Sequence, residues 1–525
     1  MDQQGDRRVS DDSKPIHQRY DHLLDPGSLD DECLVNNCHP RDYQNPPGMD
    51  SGQRYNLVVL GAGAAGLVSA GGCGLLGGRA ALVERGLLGG DCLNTGCVPS
   101  KGLIRAARAV HDARMAGHFG LNIEAGASRV DFAAAMDRMR RLRARISFND
   151  SVDRFREKYG VDVYLGEARF TAPDRVEVAG RVLRFTRAVI ATGGRPAIPT
   201  IPGLDGTEFH TSETIFNLRS LPAEMTVIGG GPIACELAQA FQRFGSRVTI
   251  LNAGLRLLPR EDVNVSHLIE SRLLAEGVSL RQGVNIQRVE RPGTVIYLDD
   301  QRLEQRVSGG CILVAVGRLP NVEELGLAAA GVDLGADGIR VDDRLRTSNP
   351  RIYAAGDVCS SIRFTHAADA MARVVIRNAL LLGRERVSRL VIPRVTYTDP
   401  EIAHVGLTKA EAENTGQIVE TLTTDLSDND RAILEGDEVG FVSVHIEPRS
   451  GRILGGTIVA RQAGEMIGQL TLAMTAGLNC GTLARTIQPY PTLSDSLRRI
   501  GDAYELSRIG SVSRRLLRGW LAWNR

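Results

Sequence analysis

Residues 55–101 read YNLVVLGAGAAGLVSAGGCGLLGGRAALVERGLLGGDCLNTGCVPSK, and this stretch decides the fold. It opens as an apolar strand that runs directly into Gly61, Gly63 and Gly66 in G-x-G-x-x-G spacing, with Ala65 inside the same turn. The first glycine permits the tight turn, the second admits a pyrophosphate against the backbone, and the third lets helix and strand pack closely. The helix start behind them offers unpaired N–H groups and a favourable dipole to phosphate. A second strand, RAALVER, ends at Glu84, where a carboxylate can take both hydroxyls of a ribose. Strand, glycine loop, helix and acid together predict a dinucleotide site.

The same stretch ends in GGDCLNTGCVPSK, residues 89–101. Cys92 and Cys97 are five apart, so on a regular helix they would point about 140° from each other. They can bond only across a distorted segment, and Asn94 and Gly96 suit such a turn. Pro99 suits the first turn of the helix that follows. A thiol at that helix start feels the positive end of the dipole and Lys101, which lowers its pKa. The pattern points to a redox pair rather than to two buried apolar cysteines.

Further along, MTVIGGGPIACELAQAFQRFG (225–245) repeats the strand–loop–helix unit, with Gly229, Gly231 and Ala234 as G-x-G-x-x-A. Its next strand, RVTILN, ends at Asn252 instead of an acid. An acid there would repel a 2′-phosphate, so Asn252 favours NADPH over NADH, and Arg256 lies close enough in sequence to pair with that phosphate. From about Pro393 the texture becomes α+β, with strand-like RVTYTD, GFVSVHIE and RILGGTIVA around helices near 408–415 and 463–477. The predicted organisation is a polar arm (1–54), a first nucleotide-binding domain in two parts (55–205 and 336–392), a second one (206–335), a C-terminal domain (393–510) and a basic amphipathic tail (511–525).

Two further segments carry expectations. Residues 1–54 lack periodicity and read as an extended arm or disordered leader. Cys33 and Cys38 within it, as CLVNNCH, read as an incidental pair instead of a metal site, which needs more ligands at tighter spacing. Helical stretches are predicted over 98–116 and 131–158, the second carrying MDRMRRLRARI as a solvated basic face. A formal net charge of +1 gives no whole-chain argument for nucleic acid or an anionic membrane. Nine cysteines, an odd number, argue against a structural disulfide framework. The N-terminus has no apolar core of a signal peptide, and no uncharged run is long enough to span a bilayer. These features predict a cytoplasmic protein.

On GGDCLNTGCVPSK between two glycine-loop units, the chain resembles the pyridine nucleotide–disulfide oxidoreductases of the dihydrolipoamide dehydrogenase, glutathione reductase and mercuric reductase group, over about residues 55–510. The resemblance implies two Rossmann-like domains, for FAD and NAD(P)H, with an α+β dimerisation domain and a homodimer whose subunits complete each other's sites. It implies that Cys92 meets substrate and Cys97 lies against the flavin. Lys101 and Glu236 resemble the ion pair beside flavin N5. Ala168, Thr192, Gly193, Gly356, Asp357 and His366 match flavin-binding segments, and Gly317, Arg318 and Asn321 of VGRLPN match the element near the nicotinamide.

One motif departs from the family. Where dithiol-handling members carry His-Pro-x-x-x-Glu, this chain has Tyr490-Pro491-Thr492-Leu493-Ser494-Asp495. Tyrosine is a poor proton shuttle at neutral pH. Mercuric reductases resemble the chain here, since a metal ion on two thiolates needs no proton delivered to a leaving thiol and soft thiolates suit a soft ion. Their C-terminal vicinal cysteines and N-terminal C-x-x-C module are missing from this sequence, which ends RRLLRGWLAWNR. That ending reads as a terminal helix packed on the dimerisation domain, with a membrane or partner contact as the alternative. The functional expectation is a mercuric reductase-like reductase of a metal ion or other soft acceptor. The alternatives are a dihydrolipoamide dehydrogenase-like disulfide reductase and a flavoprotein that binds metal or senses redox state without turnover.

Overall fold

The computed structural model describes residues 23–25, 27–48, 52–121 and 130–525, so the first part of the expected arm lies outside the described residues. The elements that build the site are α1 (Leu29–Cys38), β1 (Tyr55–Leu60), α2 (Ala64–Leu75), β2 (Ala80–Glu84), α3 (Gly90–Asn94), α4 (Cys97–Met115), α5 (Phe132–Ser147), α6 (Val152–Tyr159) and β3 (Asp162–Leu165). The chain divides into two compact units.

In the first unit (1–229, 240–253 and 284–390), β1 lies between β2 and the strand Arg181–Ile190, parallel to both, and β2 pairs with β3. Ile352–Ala354 adds to the other side of Arg181–Ile190, also in parallel. The apolar runs Leu57–Leu60 and Ala80–Val83 are buried on both faces, as a parallel sheet requires. A second parallel set joins Glu224–Ile228 to Arg247–Asn252 and to Cys311–Val314. The glycine-loop unit therefore occurs twice, as its sequence repeat predicts.

The second unit (230–239, 254–283 and 391–525) holds an antiparallel sheet in the order Arg394–Thr396, Glu401–Gly406, Ile453–Ala460, Phe441–Ile446, Glu420–Asp425. Its two central strands are buried along their whole length. Helices Ala463–Thr475 and Asp495–Ser507 supply Leu470, Leu497 and Ile500 to the same core. This is the expected α+β pattern. No helix among the described residues is long and apolar enough to cross a membrane.

Three expectations are corrected. The expected extended arm contains α1, capped by the Ser28 side chain and packed through Leu34, Val35 and Cys38 into the first unit's core. Its buried stripe is Asp31, Leu34, Val35 and Cys38, a helical period whose first member is an acid, which hides it from a hydrophobicity reading. Beyond it the chain runs along the edge strand β3. Asn45 exchanges two hydrogen bonds with the Leu165 backbone, and Tyr43 donates to the Val163 carbonyl. That covers an edge that would otherwise be open to pairing.

The single helix expected over 131–158 is two helices. α5 ends at Ser147, a turn over Phe148–Asp150 intervenes, and the Ser151 side chain caps α6. The expected solvated basic face is also overturned in part. Arg140 and Arg143 are buried, because Asp31 of α1 and Asp25 ahead of it lie against them.

Candidate active site

The break between α3 and α4 brings Cys92 and Cys97 together. Thr95 and Gly96 leave helical geometry, and α4 begins at Cys97. A Cβ on Gly96 would lie 2.7 Å from the Asp91 carbonyl oxygen, so only glycine lets the segment fold back on itself. The two thiols are then hydrogen-bonded neighbours, which a regular helix would forbid. Cys92 is half-buried and Cys97 exposed. The bond to Cys97, then burial, pushes the Cys92 thiol far up. Cys97 occupies the first position of α4, where the helix dipole favours negative charge. Its sulfur lies 3.4 Å from the Thr365 hydroxyl, which opens the helix Thr365–Leu380. Lys101 follows one turn along α4.

The cysteine segment is clamped from the N-terminal side. Buried Arg143 donates to the Asn94 carbonyl at 2.8 Å and to Asp31 at 2.5 Å. The Asn94 amide in turn donates to the carbonyls of Leu88 and Gly90. Leu88 N–H donates to the Cys38 carbonyl, and His39 Nδ1 contacts the Gly86 carbonyl at 2.7 Å. Arg140 lies 3.4 Å from Asp25, which also pairs with Arg219. The loop from Gly86 to Asn94 is thus held by α1 and α5 together.

A third set of contacts ties the segment to the flavin-type motifs. Arg318 pairs with Asp91, the residue before Cys92, lies 3.4 Å from Asp357, and donates to the Gly194 carbonyl at 2.7 Å. Burial pushes the Asp357 carboxyl up while the Arg318 charge opposes that shift. Thr192 donates to the Asn321 carbonyl, and Asn321 returns a bond to the Thr192 carbonyl, bracing ATGG against VGRLPN. Gly193 beside Thr192 adopts a left-handed backbone, and its carbonyl accepts the Asn321 N–H. His366 is exposed and stacks on Phe364 with centroids 5.5 Å apart. Ala168 begins the strand Ala168–Ala172.

Both glycine loops have the geometry of a phosphate cradle. A Cβ on Gly66 would fall 1.8 Å from the Gly61 carbonyl oxygen, so the helix can approach the turn only with glycine there. Gly61 and Gly229 share a left-handed conformation, and each donates its N–H to the end of the neighbouring strand, at Val83 and Leu251. Gly63 and Gly231 keep the loop mouths free of side chains, and nothing lies within 4 Å of a Cβ built on Gly231. The cradles fit the two dinucleotides that the motifs predict. The Glu84 carboxylate lies at the first loop, accepting the Ala62 and Gly86 N–H groups at 2.6 and 2.8 Å. In the second, Ala234 and Asn252 are buried and Gly317 is left-handed. Glu236 is buried and accepts the Tyr397 N–H at 2.8 Å.

The residues expected on the substrate side do not meet directly. The Tyr490 hydroxyl is exposed and donates to Asp430 at 2.9 Å. That bond, then the Asp430 charge, pushes the phenol up. Asp495 instead accepts from Arg498 and Arg499 at 2.8 and 3.0 Å. Burial opposes its charge, but the two guanidiniums outweigh this and hold the carboxyl below its usual range. Arg499, 3.9 Å from Asp430, links the two. Sequence reading missed Asp430, Asp91, Thr365, Arg143 and Asp31. Asp91 flanks a redox cysteine and Thr365 heads a helix, so both carried a local signal. The other three act over long sequence separations.

A family profile described as pyridine nucleotide-disulphide oxidoreductase matches residues 55–372, and that family's dimerisation domain matches residues 392–500. The mercuric reductase of Lysinibacillus sphaericus is 35% identical over 447 residues, covering 85% of this chain and 81% of that protein. The dihydrolipoyl dehydrogenase of Chlorobaculum tepidum is 33% identical over 455 residues, covering 85% and 96%. Among solved structures, the HOCl-induced flavoprotein disulfide reductase RclA from Escherichia coli superposes with a TM-score of 0.76 at 27% identity, over 85% of this chain and 99% of that one. LpdA from Mycobacterium tuberculosis gives 0.78 at 26%, over 85% and 99%. The chain belongs to the pyridine nucleotide–disulphide oxidoreductases, a family of FAD-dependent enzymes that use pyridine nucleotides.

Proposed function

We propose that the chain takes electrons from NAD(P)H and delivers them through Cys92 and Cys97 to a metal ion such as Hg(II) or to another soft acceptor. The observation that carries this reading is the Tyr490–Asp430 bond. A phenol pushed up from its ordinary value keeps its proton at neutral pH and cannot trade it with a leaving thiol. Reduction of a disulfide substrate needs that trade. A metal ion held by two thiolates does not, and thiolates favour soft ions. The similarity to mercuric reductases, and to RclA, one structure of which is a Cu(II) complex, supports the same direction.

In this reading Gly61, Gly63, Ala65, Gly66, Glu84, Ala168, Thr192, Gly193, Asp357 and His366 hold FAD, with Lys101 and Glu236 as charges near its reactive nitrogen. When bound, FAD supplies a two-electron carrier between the nicotinamide and the cysteine pair. Gly229, Gly231, Ala234, Asn252 and Gly317 hold the nicotinamide dinucleotide. Asn252 in place of an acid favours NADPH. Cys97, at the helix start beside Thr365, takes the flavin side, and Cys92 faces the acceptor. Two electrons leave the dithiol as its disulfide forms, which is the number that reduces Hg(II) to the element. The protein acts as a homodimer through its 392–500 domain.

An anaerobic titration tests this. NADPH is expected to develop a long-wavelength thiolate–flavin band in the wild type and none in Cys97→Ser. NADPH consumption is then compared with Hg(II), Cu(II) and lipoamide as acceptors. Faster turnover of lipoamide than of either metal would replace the metal reading with a disulfide one. A band unchanged in Cys97→Ser would remove the relay itself.

A further inference from the structure

The C-terminal helix Ser511–Trp523 stands apart from every other helix of the second unit in what it buries. The preceding helix, Asp495–Ser507, places Leu497, Ile500 and Tyr504 in the core. After Gly510 the chain forms a fresh helix, and its large apolar side chains are in solvent: Val512 is 68% exposed, Leu516 70%, Trp520 58% and Trp523 83%. Within the chain the helix therefore does not pack these side chains on the dimerisation domain, contrary to what its sequence suggests. Arg514 tethers the helix at its root by a hydrogen bond to the Leu506 carbonyl.

The side chains are sorted by face. At 100° per residue, Val512, Leu516, Trp520 and Trp523 share one arc, with Leu517 and Leu521 continuing it over about half the circumference. Arg514, Arg515 and Arg518 occupy the remaining arc, and Arg525 follows at the end. Residues 511–525 contain no Asp or Glu. The near-neutral whole-chain charge therefore conceals a fifteen-residue segment of four positive charges.

We infer that this helix docks the enzyme on an anionic phospholipid surface, lying in the plane of the interface. Arginine forks match phosphate geometry and are weakly hydrated. Tryptophan rings favour the boundary between headgroups and chains. A short helix with a wide apolar face, a cationic face and no acid is the composition that inserts part-way into a leaflet. A second copy of the same face is the poorer occupant. A symmetric contact would bring two sets of arginines together with no carboxylate in the segment to separate them.

The chain supplies its own probe. Trp520 and Trp523 are its two tryptophans, so intrinsic tryptophan emission reports on this helix and nothing else. The full-length FAD-loaded protein is mixed with vesicles of equal parts phosphatidylglycerol and phosphatidylcholine, and separately with phosphatidylcholine alone. Anionic vesicles are expected to shift the emission to shorter wavelength, protect it from acrylamide, and carry the protein in a flotation gradient. Added salt is expected to reverse all three. The triple change Arg514→Glu, Arg515→Glu and Arg518→Glu is expected to abolish flotation while NADPH oxidation stays at the wild-type rate. Equal binding to both vesicle types would overturn the inference, as would no binding to either. Emission already blue-shifted and quencher-resistant without vesicles, in a concentration-dependent manner, would overturn it in favour of a contact between copies.

Discussion

The first and last described helices carry opposite charge and meet opposite fates. α1 begins Leu-Asp-Asp-Glu and sends Asp31 into the interior. The C-terminal helix carries arginines and leaves both its charges and its apolar side chains in solvent. The difference is not hydrophobicity, because the two helices carry similar shares of apolar residues. It is the presence of a partner. α5 offers Arg143 and Arg140 to α1, and the Asn94 carbonyl completes the Arg143 fork. A buried charge persists when it is paired and hydrogen-bonded. For the terminal arginines the contact among the described residues is a carbonyl, that of Leu506, bonded by Arg514. A charged terminal helix becomes part of a core when a complementary charge awaits it, and otherwise remains available to a partner outside the chain.

The largest expected effect comes from removing that partner. Arg143→Met takes this donor from the Asn94 carbonyl and leaves the buried Asp31 carboxylate with the Asp25 N–H and with Arg140 at 4.0 Å. Breaking a buried pair from one side costs about 3–5 kcal/mol. The denaturation midpoint of the FAD-loaded protein should fall accordingly. Asn94 lies between the two cysteines, so the thiolate–flavin band should shift as well. Arg143→Lys keeps the charge but cannot bond both acceptors, and it should recover part of the stability and little of the band. A loss under about 0.5 kcal/mol, the size of an ordinary surface change, would erase the contrast between the two helices.

A second acid in the same region sharpens the contrast. Asp150 ends the turn after α5 and is raised to about 6 by burial, with the Arg154 charge opposing only weakly. It has no fork like that of Asp31. Its folded pKa lies above the unfolded value, so the native state binds the proton more tightly between about pH 4 and pH 6. Its contribution is therefore fully favourable below about pH 4 and is lost as pH rises through 6. Asp150→Asn should stabilise the protein at pH 7, by on the order of 2 kcal/mol, and leave it unchanged at pH 3.5. Urea midpoints at the two pH values give the answer. Destabilisation at pH 7 would mean that the carboxylate is as well served as Asp31.

What the sequence made legible follows from how local each cause is. The glycine loops, the break at Gly96 and the helix start at Cys97 answer to backbone geometry within a few residues, and all are where the spacing predicts. α1 was not legible, because the justification for Asp31 lies 112 residues away at Arg143. The same holds for the partners of two other residues: Arg318 lies 227 residues on from Asp91, and Tyr490 donates to Asp430 and not to the nearby Asp495. Motif spacing located the segment in which Cys92 and Cys97 come together, but it could not reveal which charges hold that segment in place.

The smallest expected effect lies at the other end of the comparison. Deleting residues 511–525 removes two tryptophans and three leucines, side chains whose loss from a core would cost several kcal/mol each. These side chains bury little in the second unit, so the deletion should move the urea midpoint, followed by circular dichroism, by no more than about 0.5 kcal/mol equivalent. Cofactor content should be unchanged. A drop comparable to that of Arg143→Met would show that the helix is covered within the assembled protein, and the two termini would then obey one rule: each charge buried against a partner of its own. An unchanged midpoint leaves the apolar arc as surface that contributes nothing to folding.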